Sequence, residues 1–282
     1  MKNILVPTDF SNDAYNALHY TTQLLADEEC TFHILNVYDE HVTLKTSRFL
    51  REGGKVLLKL IADESKEGLT QTVHRINLDT ENPKHTFRAI SKKGEMLECI
   101  GLCAFDLDID LVVMGNKGKM GVKEILMGSN TIRAIGRIKK CPILMVPKEM
   151  EFVEPKQITF VTCYKRNFSH NVLDPLLYIA RMHQSSVQIM HIDEDKKLDK
   201  NQKNNKVILE KELSEIEYST HWRPYYTEKT KVINDFVKDL GTNLLVMVNY
   251  EHNLLEKIIR EPVIMEIASY LNIPFLVIPC KD

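Results

Sequence analysis

The 282-residue chain has no apolar run long enough to cross a bilayer. Its longest runs, such as Ile100–Phe105, span about six residues, against the ~20 that a membrane helix needs. The opening Met1–Pro7 is too short in its apolar part to be expected to serve as a secretory signal. There is no surplus of either charge: 37 lysines and arginines face 39 aspartates and glutamates. A broad nucleic-acid face needs an excess of cations, so neither nucleic acid nor membrane is expected as a partner. None of the six cysteines (Cys30, Cys99, Cys103, Cys141, Cys163, Cys280) stands in C-x-x-C spacing. That removes the usual zinc and redox frameworks, and no metal site is expected. The cysteines read as small buried thiols in a reducing cytoplasm. Glycine is nearly missing from one half: ten of the 11 precede residue 150, and Gly241 alone follows.

What is present is strand–helix alternation. Ile4-Leu5-Val6-Pro7 reads as a short buried strand ending at Thr8-Asp9. Ser11 caps a helix to about Asp27, with Ala14, Ala17, Leu18, Leu24 and Leu25 on its apolar side. A strand at Thr31–Tyr38 follows, then a helical stretch from about Phe49 to Leu78 with breaks near Gly68, ended by Pro83. Thr86–Ser91 is a third strand and a helix follows Gly94, with Cys99 and Cys103 on one face. Asp110–Gly115 is a fourth strand, a helix runs from about Asn130 to Ile138, and Pro142–Pro147 is a fifth strand. Strands alternating with helices give parallel pairing through right-handed crossovers.

The second half repeats this order. Strands are expected at Ile158–Cys163, Val187–Ile192, Thr220–Tyr226, Leu244–Val248 and Pro274–Pro279. Helices are expected at Asn171–Gln184 (Pro175 in its first turn), Lys203–Glu217, Val232–Leu240 and Val263–Leu271. The two endings match: Cys141-Pro-Ile-Leu-Met-Val-Pro147 against Ile273-Pro-Phe-Leu-Val-Ile-Pro279. The polar stretch Lys148–Lys156 reads as a linker. The fold class is α/β, two tandem doubly wound domains at 1–148 and 156–282. The final strands are expected as sheet edges that pair with each other, within the chain or across a homodimer.

Ligands of open α/β sheets bind beyond the carboxyl ends of the strands, where strand order reverses. Asp9 follows strand one. Gly115-Asn116-Lys117-Gly118 follows strand four, and Gly128-Ser129 opens the next helix. Bare glycines let a backbone approach a phosphate, and a helix N-terminus with free N–H groups suits an anion. A carboxylate accepts hydrogen bonds from a ribose. Each residue also has a plain reading. Asp9 is a turn former or a partner for Lys117 or Lys119, Gly115 ends a strand, and Gly128 precedes a helix.

The spacing Gly115-x-x-Gly118-x9-Gly128-Ser129 resembles the nucleotide-binding signature of the universal stress protein family. The opening Ile4-Leu-Val-Pro-Thr-Asp-Phe-Ser11, Ile34-Leu-Asn-Val37 and Asp110-Leu-Val-Val-Met-Gly115 resemble the same family. The resemblance covers the first 147 residues, and the second half at the level of pattern. It implies five parallel strands in the order 3-2-1-4-5 and an adenine nucleotide as ligand, ATP or AMP, with Mg2+ accompanying ATP. It puts Asp9 at the ribose and Val37 at the adenine through its backbone, with Pro7 and Thr8 among the residues that bind the nucleotide. Gly115 would lie near the ribose, and Gly118, Gly128, Ser129 and the Asn130 amide at the phosphates.

Aligned on Pro142 and Pro274, the second copy carries Arg260 for Gly128, Glu261 for Ser129 and Pro262 for Asn130. A short deletion puts Asn249 at Gly115, and Cys163 falls at Asp9. Proline has no N–H to donate, and a carboxylate repels phosphate. The second copy is expected to bind no nucleotide in this manner. There is no Walker lysine after a glycine-rich loop and no activated nucleophile or base pair, so no enzyme is expected. The function that follows is nucleotide-dependent regulation in stress response. The alternatives are a slow ATP-hydrolysing enzyme and an interaction scaffold with a relic site.

Overall fold

The structure is a computed structural model that describes residues 1–38, 53–116, 129–192, 197–224, 229–250 and 272–280. The chain divides into two compact units, one ending at Met150 and the other continuing from Glu151. Each is built as alternating strands and helices.

In the first unit the strands are β1 (Lys2–Pro7), β2 (Cys30–Tyr38), β3 (His85–Lys93), β4 (Leu111–Asn116) and β5 (Ile143–Pro147). They run parallel in the order β3-β2-β1-β4-β5. Ile4, Leu5, Val6, Val112 and Val113 are all at or below 1% exposure, which is why the central strands are apolar without alternation. Each such side chain contributes roughly 1.5–3 kcal/mol on burial. The helices are α1 (Asn12–Leu24), α2 (Gly53–Thr80), α3 (Met96–Asp106) and α4 (Ser129–Arg137). Ser11 caps α1, its Oγ accepting the Ala14 N–H at 3.3 Å.

In the second unit the strands are β6 (Gln157–Thr162), β7 (Ser186–Ile192), β8 (Tyr218–Arg223), β9 (Leu244–Tyr250) and β10 (Phe275–Cys280). The helices are α5 (His170–Met182), α6 (Lys200–Glu212) and α7 (Lys229–Asp239). The order β8-β7-β6-β9-β10 is that of the first unit, strand for strand, and all pairs are parallel. Even the fastening of the first strand to the fourth is repeated. The Asn3 N–H donates to the Asp110 carboxylate at 2.8 Å and Asp110 N–H returns to the Asn3 carbonyl at 2.8 Å. Gln157 and Asn243 make the same exchange at 3.0 and 2.8 Å.

Three local expectations change. The helix does not break at Gly68: α2 runs unbroken from Gly53 to Thr80. A Cβ on Gly68 would lie 2.6 Å from the tip of the Phe10 ring, so the glycine makes room for that ring. The helix tolerates it because an internal glycine costs only about 1 kcal/mol. Pro175 is the sixth residue of α5 rather than a first-turn residue, so its missing N–H falls where the bond to the Asn171 carbonyl would form. Strand register also revises the match of the two copies. Leu111 lies beside Ile4 and Leu244 beside Ile158, so Gly115 corresponds to Val248, and Asn116 to Asn249. The expected helix at Val263–Leu271 lies outside the described residues, as do Phe49–Glu52.

Candidate functional site

Strand order reverses between β1 and β4, which lie side by side. That is the position where a doubly wound sheet opens a crevice at its carboxyl edge. Pro7, Thr8 and Asp9 carry the chain out of β1, and Gly115 lies near the end of β4.

The turn after β1 is held at every residue. The Thr8 N–H donates to the Leu35 carbonyl at 2.8 Å, and the Thr8 carbonyl accepts Asn36 Nδ2 at 2.8 Å. Thr8 Oγ1 accepts the Phe10 N–H at 3.0 Å, and Asp9 Oδ1 accepts the Ser11 N–H at 3.1 Å. These overlapping side-chain turns steer Phe10 to a φ of 62° and pass the chain directly to the Ser11 cap. Pro7 is buried, Thr8 half-buried and Asp9 exposed. The plain reading of Asp9 as a turn former is therefore correct for one of its oxygens, and the residue is exposed just beyond the carboxyl end of β1.

Val37 is placed by a mismatch in strand length. The ladder between β1 and β2 ends at Pro7 opposite Leu35, and β2 continues to Tyr38. The Leu35 carbonyl points toward β1, since it accepts Thr8 N–H, and the Tyr38 carbonyl points toward β3, since it accepts Gly94 N–H at 3.1 Å. Alternation along the strand turns the Val37 N–H and C=O to the β1 side, past the end of β1. That presents one donor and one acceptor at the carboxyl edge.

Gly115 has a structural requirement of its own. A Cβ there would lie 2.6 Å from the Asp13 carbonyl oxygen and 3.2 Å from the Ala14 nitrogen. The first turn of α1 rests on this bare Cα. Ser129 and Asn130 form the first turn of α4, whose leading N–H groups have no partner within the helix. Arg133 and Arg137 of this helix each lie 3.6 Å from the Glu95 carboxylate. Glu95 also caps α3 through the Glu98 N–H at 2.9 Å. Gly118, Gly128, Lys117, Lys119 and Lys123 lie outside the described residues.

The residue that sequence reading passes over is Asn36. Its counterpart in the second unit is His191, whose Nδ1 lies 3.4 Å from the Thr162 carbonyl. Thr162 Oγ1 accepts the Tyr164 N–H at 3.0 Å, and Tyr164 has a φ of 54°. The turn after the first strand thus starts in the same way in both units, with Cys163 in the place of Asp9 and Tyr164 in that of Phe10. Comparing the copies position by position along the second strand would expose the pair Asn36 and His191. Five of the six thiols are buried and Cys163 is half-buried. Among the described residues no helix is long and apolar enough to cross a membrane.

Comparison with known proteins gives one consistent result. A family model described as the universal stress protein family matches residues 1–147. A universal stress protein of Methanocaldococcus jannaschii is 30% identical over 156 residues, covering 52% of this chain and 96% of the relative. One from Methanothermobacter thermautotrophicus is 29% identical over 128 residues, 45% of this chain and 84% of that protein. The crystal structure of a universal stress protein from Archaeoglobus fulgidus superposes with a TM-score of 0.74 at 16% identity, over 98% of this chain and 97% of that one. That last likeness is one of fold.

Proposed function

The chain belongs to the universal stress protein family, and on that premise we propose that its first half, to Lys148, is a regulatory domain that binds an adenine nucleotide. The second half, from Lys156, is a copy that binds none in the same way. The observation that carries the reading is the convergence at the switch point. An exposed carboxylate at Asp9, the outward backbone groups of Val37 and the first turn of α4 all belong to the carboxyl edge of one sheet.

Asp9 would accept from the ribose hydroxyls, beside Pro7 and Thr8, while Val37 would pair with the edge of the adenine. Gly118, Gly128, Ser129 and the Asn130 amide would hold phosphates, ATP or AMP according to how many the loop engages. Mg2+ would travel with the phosphates of ATP, as it commonly does, and no protein ligand is assigned to it. Regulation then follows from differential affinity: the nucleotide favours whichever state of the protein holds it more tightly. No hydrolytic step belongs to this reading, because it gives no residue the role of a general base toward water.

Titration calorimetry of ATP and AMP into nucleotide-stripped protein tests it. The expected stoichiometry is about one per chain, lost in Gly128→Arg, where a long side chain fills the phosphate approach. Asp9→Asn keeps the turn acceptor and loses the charge; it should weaken binding by about 10-fold, on the order of one charge-assisted hydrogen bond. Absence of binding at millimolar nucleotide would favour the scaffold. Two sites per chain would overturn the silent second copy.

A further inference from the structure

The two units share the turn after their first strand, but they treat it differently. In the first unit Phe10 remains 41% exposed, and the helix beside it offers Gly68, which has no side chain. In the second unit the matching Tyr164 is 1% exposed. Two amides of α6 reach its turn. Gln202 Nε2 donates to the Cys163 carbonyl at 2.9 Å, and Asn205 Nδ2 donates to the Tyr164 carbonyl at 2.8 Å.

These amides are built in. Gln202 is 6% and Asn205 8% exposed, and they stand three residues apart on one face of α6, with Leu209, at 0% exposure, a turn further on. Gln202 cannot turn away, because its Oε1 accepts the Asp199 N–H at 2.9 Å in a reciprocal capping box. Buried carbonyls need such donors. The Tyr164 ring completes the packing, its centroid 4.8 Å from that of His191. Polar residues on the inner face of a helix are unfavourable unless they satisfy something, and what these two satisfy is the turn at the carboxyl edge of β6.

We infer that α6 is an internal plug: Gln202 and Asn205 hold the β6–α5 turn closed from within the protein, so the second unit keeps this turn ordered without a ligand. The matching turn of the first unit, which ends in the exposed Asp9 and Phe10, is ordered further by nucleotide. This last clause rests on the nucleotide reading above; the plug does not. The chain is then one responsive half and one half locked in the ligand-independent state.

Hydrogen exchange read by mass spectrometry on the full chain separates the two ideas, since exchange reports local opening. In Asn205→Ala, exchange over residues 162–169 should accelerate at least tenfold, and alkylation of the Cys163 thiol should rise with it. Gln202→Glu retains the capping-box acceptor and loses the donor to Cys163, so it should do the same if Asn205→Ala folds poorly. ATP should slow exchange over residues 8–11 in wild type and variant alike, and leave residues 162–169 of the wild type unchanged. Unchanged exchange and alkylation in both variants would overturn the plug, as would protection of 162–169 by ATP. Loosening of 162–169 in the variants with no ATP effect at 8–11 would uphold the plug and overturn the nucleotide reading.

Discussion

Gly115 of β4 lies directly beneath Asp13 of α1, with a Cβ position only 2.6 Å from the Asp13 carbonyl oxygen. The atom it would meet is backbone, which cannot swing aside as a side-chain end can. Gly115→Ala should therefore push α1 off the sheet. The expected loss is about 1–3 kcal/mol, the range for overpacking a tight contact, measured by urea denaturation. A change under about 0.5 kcal/mol, the scale of neutral surface substitutions, would show that α1 does not seat on this glycine. The second unit explains why its own Val248 is tolerated. Its helix cap, Ser169, comes only after Tyr164 and the stretch Lys165–Phe168, whereas Ser11 follows Phe10 at once. The glycine and the short turn belong together.

The helix caps give a matched pair of substitutions. Ser11 Oγ accepts the Ala14 N–H, while Ser169, in the same place before α5, makes no side-chain cap bond. Ser11→Ala should destabilise by about 1 kcal/mol, the usual worth of a cap, and Ser169→Ala by a few tenths. Equal losses in thermal or chemical unfolding would contradict the geometry.

Much of the fold is legible in the order of the amino acids. Periodicity marks each described strand to within two or three residues, because buried parallel strands write themselves as apolar runs such as Leu111-Val-Val-Met114. The strand order follows from the family resemblance, and the structure agrees with it. What stays hidden is pairing between distant residues. An alignment by spacing puts Asn249 at Gly115 and is one residue off, because strand register is set by Ile4 beside Leu111 and Ile158 beside Leu244, which spacing along the chain does not contain. Gly68 reads as a helix breaker because its partner, Phe10, lies 58 residues away in sequence. Asn36 sits in an apolar run, inside the stretch Ile34–Val37 that resembles the family, but the resemblance assigns its side chain no role, and that role appears only once β2 is seen to overrun β1.

Acid should weaken the fold through two buried histidines, His33 and His85, and the half-buried His221. His33, His85 and His221 all have pKa values below the ordinary 6.5. Burial is the main cause in each. Arg88 and Arg223 add to it for His33 and His221; for His85 the Leu25 carbonyl opposes it and Lys84 adds to it. With the folded value depressed, the unfolded chain binds more protons just below pH 6.5, so stability is level above that pH and falls as the pH drops toward the folded values. Each unit of difference is worth about 1.4 kcal/mol. Urea midpoints at pH 7.5 and 5.5 should show the decline, with a shallower slope in His85→Gln, which retains a donor for the Leu25 carbonyl. Greater stability at pH 5.5 would refute this account.

The pair Asn36 and His191 allows a swap taken from the protein itself. Each presents a side-chain nitrogen to the carbonyl of the threonine at the end of the first strand, Asn36 to Thr8 at 2.8 Å and His191 to Thr162 at 3.4 Å. Asn36 is 8% exposed and Thr8 half-buried, so Asn36→Leu strips the carbonyl of its donor in a place where water enters poorly. The loss should be about 1–3 kcal/mol, the penalty for a buried group left unsatisfied. Asn36→His restores a donor of the kind the second unit uses, and should recover at least half of that. Because the same carbonyl anchors the turn that carries Asp9, Asn36→Leu should also weaken nucleotide binding more than Asn36→His does. Unfolding measurements on the two variants, followed by calorimetry with ATP, would show both effects. If leucine and histidine behave alike, the hydrogen bond from Asn36 to the Thr8 carbonyl is not what holds the turn, and its precision must come from the Thr8 N–H bond to Leu35 and from the Thr8 and Asp9 side chains.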